Sequence, residues 1–354
     1  MQIINVTANE AGQRLDKLLA KYLNQAGKGF LYKMMRKKNI TLNGKKCEGS
    51  EHLEEGDEIK LFFSDETIQK FSSPAVPGLE SEKKESSDGN STSNRGRRRD
   101  DGRGNSPRLN IIYEDSNILI VNKPAGMLSQ KAREGDMSLN EHILNYLIES
   151  GHLPVSQLRT FRPSICNRLD RNTSGLVVAG TSLPGLQIMN EVFKDRSIHK
   201  YYQCLVKGKI EEKQLIAGFL RKDEDANKVE IFPLEAAESV PIMTEYVPLA
   251  GNDRFTLLQV TLITGRSHQI RAHLSSIGHP ILGDYKYGDK ELNEYIRRRY
   301  RVSSQLLHSW KLIMPENVAK PLDYLSGREF YAPVPGAFKR VMQGEGILNV
   351  RTDS

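Results

Sequence analysis

The chain has 354 residues with 51 Lys or Arg against 44 Asp or Glu, a formal net charge of +7, and its length suggests two domains. No apolar run reaches the roughly 20 residues that cross a bilayer, the N-terminus lacks a secretory apolar core, and Cys47, Cys166 and Cys204 lie far apart with no Cys-x-x-Cys pair. Membrane-spanning, secreted, disulfide-framework and zinc-knuckle classes are therefore set aside; a cytoplasmic setting and a polyanionic partner are expected.

Residues 1–46 carry ten Lys or Arg against two acids, Glu10 and Asp16. Leu15, Leu18, Leu19, Tyr22 and Leu23 recur at i, i+3, i+4, i+7 and i+8, the period of an amphipathic helix. A second helix is expected from Phe30 to Lys38, with Leu31, Met34 and Met35 inward and Lys33, Arg36, Lys37 and Lys38 in water. Ile40-Thr41-Leu42 then meets Asn43-Gly44, a strong hairpin signal, and Ile59 to Phe63 supplies a further strand. The Arg14-Leu15-Asp16 start and the Ile40-Thr41-Leu42-Asn43-Gly44-Lys45 ending resemble the S4-type RNA-binding module. That resemblance implies an RNA-binding domain over residues 1–64, with Lys33, Arg36, Lys37 and Lys38 on phosphates. Such contacts supply affinity and salt sensitivity rather than sequence choice. Chemistry alone also allows a merely solvated helical face.

From Asp65 to Pro107 the composition turns to Ser, Gly, Glu, Lys and Asn, and large apolar residues vanish after Leu79. Such a stretch reads as a flexible polar linker over residues 65–107. Within it, Arg95-Gly96-Arg97-Arg98-Arg99 is either a basic arm for RNA or a solubilising run.

A second domain is expected over residues 108–345. It opens with two strands, Leu109–Tyr113 and Ile118–Val121, around the turn Glu114 to Asn117, and leaves the sheet at Lys123-Pro124-Ala125-Gly126. On chemistry alone that tetrapeptide is an ordinary turn begun by proline. A helix follows around Ser138 to Ile148. The next stretch, Cys166-Asn167-Arg168-Leu169-Asp170-Arg171-Asn172-Thr173-Ser174-Gly175, feeds the apolar strand Leu176 to Ala179. Asp is depleted in strands and seldom buried without a partner, so Asp170 either caps the turn or acts chemically. Beyond Gly180 come a helix with Leu183, Leu186, Met189, Val192 and Phe193 on one face, and a strand from Ile198 to Gly208. There Tyr202 and Tyr201 point to opposite faces. A later strand, Phe255 to Leu262, delivers Thr264-Gly265-Arg266-Ser267-His268-Gln269-Ile270-Arg271, with Ser267 as the expected helix N-cap. Asp115 and Asp284 sit in turn contexts where capping suffices.

Histidines at 268, 273 and 279 lack the i, i+4 spacing of a zinc helix, and no phosphate-binding glycine loop is present. No metal and no cofactor are expected. The central run Arg168-Leu169-Asp170-Arg171-x-Thr173-Ser174-Gly175, the opening Tyr113-Glu114-Asp115 to Gly126, the Lys200-x-Tyr202 pair and the Thr264 to Asp284 stretch together resemble the RluA-type pseudouridine synthases. The resemblance departs at Asn167, where the family usually has His.

That likeness implies an α+β fold: a large, mainly antiparallel mixed sheet with a central cleft, plus the small α/β N-terminal module. It implies an enzyme that isomerises uridines in RNA, most expectedly large-subunit ribosomal RNA. Asp170 would be the catalytic carboxylate, Arg271 its ion-pair partner, Tyr202 a stacking residue beside the base, and Arg168 an RNA contact that helps extrude the nucleotide. The protein would act as a monomer. The competing expectation is a non-catalytic RNA-binding ribosome-assembly factor on the same fold, toward which Asn167 points.

Overall fold

A computed structural model of the chain describes residues 1–7, 9–72, 108–223 and 228–347. The described residues fall into two units, one built on the N-terminal 72 residues with 144–163 and 181–184, the other on 109–143, 164–180 and 185 onward.

The first unit contains β1 (Gln2–Asn5), α1 (Leu15–Tyr22), α2 (Lys28–Arg36), β2 (Ile40–Leu42), β3 (Lys45–Lys46), β4 (Glu58–Leu61) and α3 (Asp65–Phe71). Its antiparallel sheet runs β1-β4-β2-β3. Leu15, Leu18 and Leu19 of α1 are fully buried with Met35 of α2 and Ile40, Ile59 and Leu61 of the sheet. The hairpin turn falls on Asn43 and Gly44, both at positive φ (51° and 72°), which matches the strand twist and explains why that pair stands there. Lys33, Arg36, Lys37 and Lys38 are exposed.

One expectation needs correction. Residues 65–71 are helical rather than linker: Ser64 Oγ caps the Thr67 amide at 3.3 Å, Ile68 is buried, and the Phe71 ring lies 4.5 Å from that of Phe30. Two apolar side chains at i and i+3 after a serine cap were enough to form a turn of helix once the core offered a surface. The rest of the expected linker, residues 73–107 with Arg95 to Arg99, lies outside the described residues.

Beyond the first 72 residues the described elements are, in chain order, β5 (Ile111–Glu114), β6 (Ile118–Lys123), α4 (Leu139–Glu149), β7 (Ser164–Ile165), β8 (Ser174–Gly180), α5 (Leu183–Lys194) and β9 (His199–Lys207); all belong to the second unit except that α4 from Leu144 onward and the first two residues of α5 count with the first. Next come β10 (Gln214–Asp223), β11 (Lys228–Phe232), β12 (Val240–Gly251), β13 (Phe255–Leu262), α6 (Gln269–Ser276), α7 (Lys290–Tyr300), β14 (Leu307–Ile313), β15 (Glu329–Tyr331) and α8 (Gly336–Gly344). Eleven of these strands form one mixed sheet, β11-β10-β12-β13-β9-β14-β8-β6-β5, with β15 on β14 and β7 on β8. Ile118, Ile120, Leu176 and Val178 pack under Met189 and Val192 of α5. Leu205 and Leu257 meet Ile296 of α7 and Phe338 and Val341 of α8.

The parallel pair β8/β14 sets His308 opposite Ser174 and Ser309 opposite Gly175. Gly175 has φ +118°, and a Cβ there would sit 2.1 Å from the Ser309 carbonyl oxygen. Only glycine lets β14 approach that closely, so the second residue of β8, just past the Asp170 loop, is dictated by strand pairing.

Candidate active site

Asp170 stands on a loop whose backbone is pinned on both sides. Ahead of it, Ser129 Oγ donates to the Leu169 carbonyl at 2.7 Å and accepts from the Leu169 amide at 3.0 Å. Behind it, the Arg171 carbonyl accepts from Lys123 Nζ at 3.0 Å and from the Gly126 amide at 2.9 Å. The Thr173 amide closes the turn on the Asp170 carbonyl at 3.0 Å. Loop backbones tied in this way hold a side chain in one place, which is what a reacting group needs.

Asn167 fastens the loop to β8. Its Oδ1 accepts from the Val178 amide at 2.8 Å and its Nδ2 donates to the Leu176 carbonyl at 3.2 Å. The departure from the family motif thus supplies a donor and an acceptor to a fully buried strand.

Lys123 ends β6 with a fully buried side chain. Its Nζ donates to the carbonyls of Pro124, Met127 and Arg171 at 3.0, 2.8 and 3.0 Å. Burial pulls the ammonium down to about 7, against the opposing pull of the Asp170 charge. The Lys123 to Gly126 segment is therefore more than a turn: it binds the two loops together from inside.

Arg271 reaches the site from α6. That helix begins at Gln269, not after the expected Ser267: His268, at φ +56° and without a side-chain capping bond, is the N-cap. Gln269 takes over the anchoring, donating to the Met243 carbonyl and Thr244 Oγ1 at 3.0 Å each and accepting from Thr264 Oγ1 at 2.9 Å. A side-chain network of this length, reaching to β12, has no short-range sequence signature.

Arg271 NH1 lies 2.9 Å from Asp170 Oδ2. Its Nε and NH2, however, grip Asp284 at 2.7 and 2.9 Å in a two-pronged fork. Asp284 is 1% exposed and also accepts from the amides of Lys286 and Tyr287 at 2.9 and 3.2 Å. Burial alone would push its carboxyl up; the guanidinium and the two amides overcome this and hold it below the usual carboxylate range. Burial likewise opposes the charge of Arg271, but its two carboxylate partners raise its pKa all the same. The guanidinium lies over the Tyr287 ring, 5.1 Å from its centroid. Capping therefore does not suffice as a description of Asp284: it caps a turn and is the main partner of Arg271.

The Asp170 side chain is 25% exposed, against 8% for Arg271. His268 Nε2 stands 3.8 Å from Asp170 Oδ2 while Nδ1 pairs with the Tyr287 hydroxyl at 2.8 Å. Burial lowers the His268 pKa against the pull of Asp170, so the ring is neutral near pH 7. Tyr202 is buried on β9, opposite Ser309; burial pushes its phenol up to about 12, with Asp170 adding to the rise. Arg168 is exposed, and so is Arg171, whose Nε donates to the Gly126 carbonyl at 3.1 Å.

Asp170 and Arg271 thus meet from a loop and a helix of the second unit, and Tyr202 on β9 lies near enough for the Asp170 charge to act on its phenol. Lys33, Arg36, Lys37 and Lys38 belong to the first. Lys123 and Asp284 are the residues that sequence reasoning passed over. For Lys123 the available signal was a lysine closing an apolar strand, where the side chain has no solvent to reach.

Residues 117–276 match the family described as RNA pseudouridylate synthase. Among curated relatives, the chain is 28% identical over 316 residues to the Ribosomal large subunit pseudouridine synthase C of Vibrio cholerae, covering 87% of each. It is 28% identical over 315 residues to the protein of the same name from Escherichia coli, covering 84% of this chain and 82% of the relative. Human RNA Pseudouridylate Synthase Domain Containing 4 shares the fold, with a TM-score of 0.53 at 20% identity over 66% of this chain and 92% of that one.

Proposed function

From a chain whose residues 117–276 belong to the RNA pseudouridylate synthase family, we propose that this enzyme isomerises uridines of large-subunit ribosomal RNA, with Asp170 as the catalytic carboxylate. The observation that carries the reading is the Asp170–Arg271 pair at 2.9 Å, on a loop pinned by Ser129, Lys123 and Asn167. The ribosomal substrate rests on the relatives named above, which act on the large subunit by their names.

The isomerisation breaks the N1–C1′ bond of uridine, turns the base and joins C5 to C1′. The proton that C5 loses is balanced by the one N1 gains, so the net change is redox-neutral and consumes no second substrate. The part that the protein supplies is a carboxylate at the ribose, held where the sugar arrives. Arg271 fixes that carboxylate through a single charge-assisted hydrogen bond from NH1. Tyr202 remains a neutral phenol near pH 7, since burial keeps it up near 12, so it acts by stacking on the turned base. Exposed Arg168 meets the RNA backbone and assists extrusion of the nucleotide, a step that costs a few kcal/mol of unstacking.

Residues 1–64 act as the RNA-binding module, with Lys33, Arg36, Lys37 and Lys38 on one exposed helix end. The protein works as a monomer in the cytoplasm, where its RNA is. Among the described residues no helix is long and apolar enough to cross a membrane. A non-catalytic assembly factor would have no use for a carboxylate held by a guanidinium that is itself braced from behind. The test is to incubate the purified protein with an in vitro transcript of large-subunit ribosomal RNA and map pseudouridine chemically. New pseudouridine at defined positions is expected; none at any position would overturn the reading.

A further inference from the structure

We propose that Asp284 is a positioning residue that governs the reactivity of Asp170. By holding two nitrogens of Arg271 it aims the third at Asp170, and by neutralising the guanidinium it leaves Asp170 an anion whose charge is not cancelled. This rests on the reading of Asp170 as the catalytic carboxylate.

The geometry distinguishes two kinds of pairing. In a simple ion pair the guanidinium serves one carboxylate, lowers its pKa by roughly 1–3 units and makes it a weaker base and nucleophile. Here one guanidinium serves two carboxylates, and the division is unequal. Asp284 takes Nε and NH2, while Asp170 receives NH1 alone. Asp284 is sealed in and accepts four donors from the protein. Asp170 keeps a quarter of its side-chain surface open. The Asp170–Arg271–Asp284 set carries a net charge of −1, and the side exposed to an incoming ribose is the Asp170 side.

The other groups that face Asp170 do not undo this balance. Lys123 has its donors on three backbone carbonyls, and burial draws it down to about 7. His268, at 3.8 Å, is neutral near pH 7. Tyr202 and Tyr287 are phenols raised by burial. Lys286 feels the Asp170 charge and its own backbone amide binds Asp284; Arg168 and Arg171, on the same loop, are exposed to water, and Arg171 turns its Nε to the Gly126 carbonyl.

Two substitutions separate charge from position. Asp284→Asn removes the negative charge and leaves Arg271 facing Asp170 alone. The acid limb of the pH profile of kcat/KM, measured on the ribosomal RNA transcript, should move down by about one pH unit, with a lower plateau above it. Carbon-13 NMR titration of the Asp170 carboxyl, assigned by its loss in Asp170→Asn, should show the same shift. It also decides the matter if turnover is too slow to profile. Asp284→Glu keeps the charge and displaces the fork by one methylene. It should leave the acid limb in place while kcat falls by about tenfold or more at unchanged KM, and it serves if Asp284→Asn does not fold.

An acid limb and an Asp170 titration that stay put in Asp284→Asn would overturn the charge role. An unchanged kcat in Asp284→Glu would overturn the positioning role. Failure of the underlying reading looks different: Asp170→Asn would itself make pseudouridine at the wild-type rate.

Discussion

Arg271 NH1 meets Asp170 Oδ2 at 2.9 Å across 101 positions of sequence. The contact joins the pinned loop before β8 to the helix that follows β13, and it is short enough to count as a charge-assisted hydrogen bond. Because Arg271 simultaneously holds the buried Asp284, the same side chain is a stability element and a site element.

Arg271→Ala should therefore destabilise the fold as well as abolish turnover. It would strand the Asp284 carboxylate in the interior, a loss of about 3–5 kcal/mol for a broken buried pair. The sign with pH follows from Asp284, whose carboxyl lies below the usual range in the folded protein. Its contribution is present above the ordinary carboxyl value and is lost as pH falls through the folded one. In Arg271→Ala the stranded carboxyl rises instead, so the deficit against wild type should be large at pH 7 and shrink toward pH 4. Urea melts at the two pH values check this; equal stability at pH 7 would contradict it.

Lys123 gives a second pH signature. Its ammonium is drawn to about 7 in the folded protein, while an unfolded lysine stays near 10.4. Between those values the unfolded chain binds more protons, so stability contributed through this residue rises with pH. Wild-type urea midpoints should climb from pH 7 to 9, and Lys123→Met should lose that climb. Identical slopes for the two proteins would remove the buried lysine from the account.

Asn167→Ala should cost about 1–3 kcal/mol, because the Val178 amide and the Leu176 carbonyl would lose a partner inside a buried strand. Activity should fall with it as the Asp170 loop loosens. Asn167→His, which restores the usual residue of the motif, should recover more of the stability than alanine does. Thermal melts of the three proteins decide; an alanine variant as stable as wild type would show that the bridge holds nothing.

The residues of the candidate site were named through the resemblance rather than by local chemistry: between two arginines before an apolar run Asp170 could as well cap a turn, and a strand tyrosine such as Tyr202 is by itself a packing residue. The hairpin at Asn43-Gly44 was readable because two adjacent positive φ values demand such residues. What escaped was set by burial and by partners distant in sequence. Asp284 reads as a turn residue until Arg271, 13 positions earlier, is seen to turn two nitrogens on it. The helical start at His268 depends on Gln269 reaching β12, and the helix at 65–71 depends on a core that its own composition does not announce.

The RNA contact proposed for the basic end of α2 would bear on affinity rather than chemistry. Replacing Lys33, Arg36, Lys37 and Lys38 by alanine, all exposed, should leave the melting temperature within a degree or two. Every phosphate that goes unneutralised as a result should flatten the plot of log affinity against log salt by about 0.7–0.9. Filter binding to the ribosomal RNA transcript across a salt series reads this directly. An unchanged slope would mean that this face meets only water.

The most direct test concerns the carboxylate itself. Asp170→Asn removes the charge while keeping shape, and Asp284 still holds Arg271, so the protein should fold with wild-type circular dichroism. Chemical mapping of the ribosomal RNA transcript after incubation should then find no pseudouridine at the positions that wild type modifies. Pseudouridine formed by Asp170→Asn at a rate near that of wild type would contradict the account.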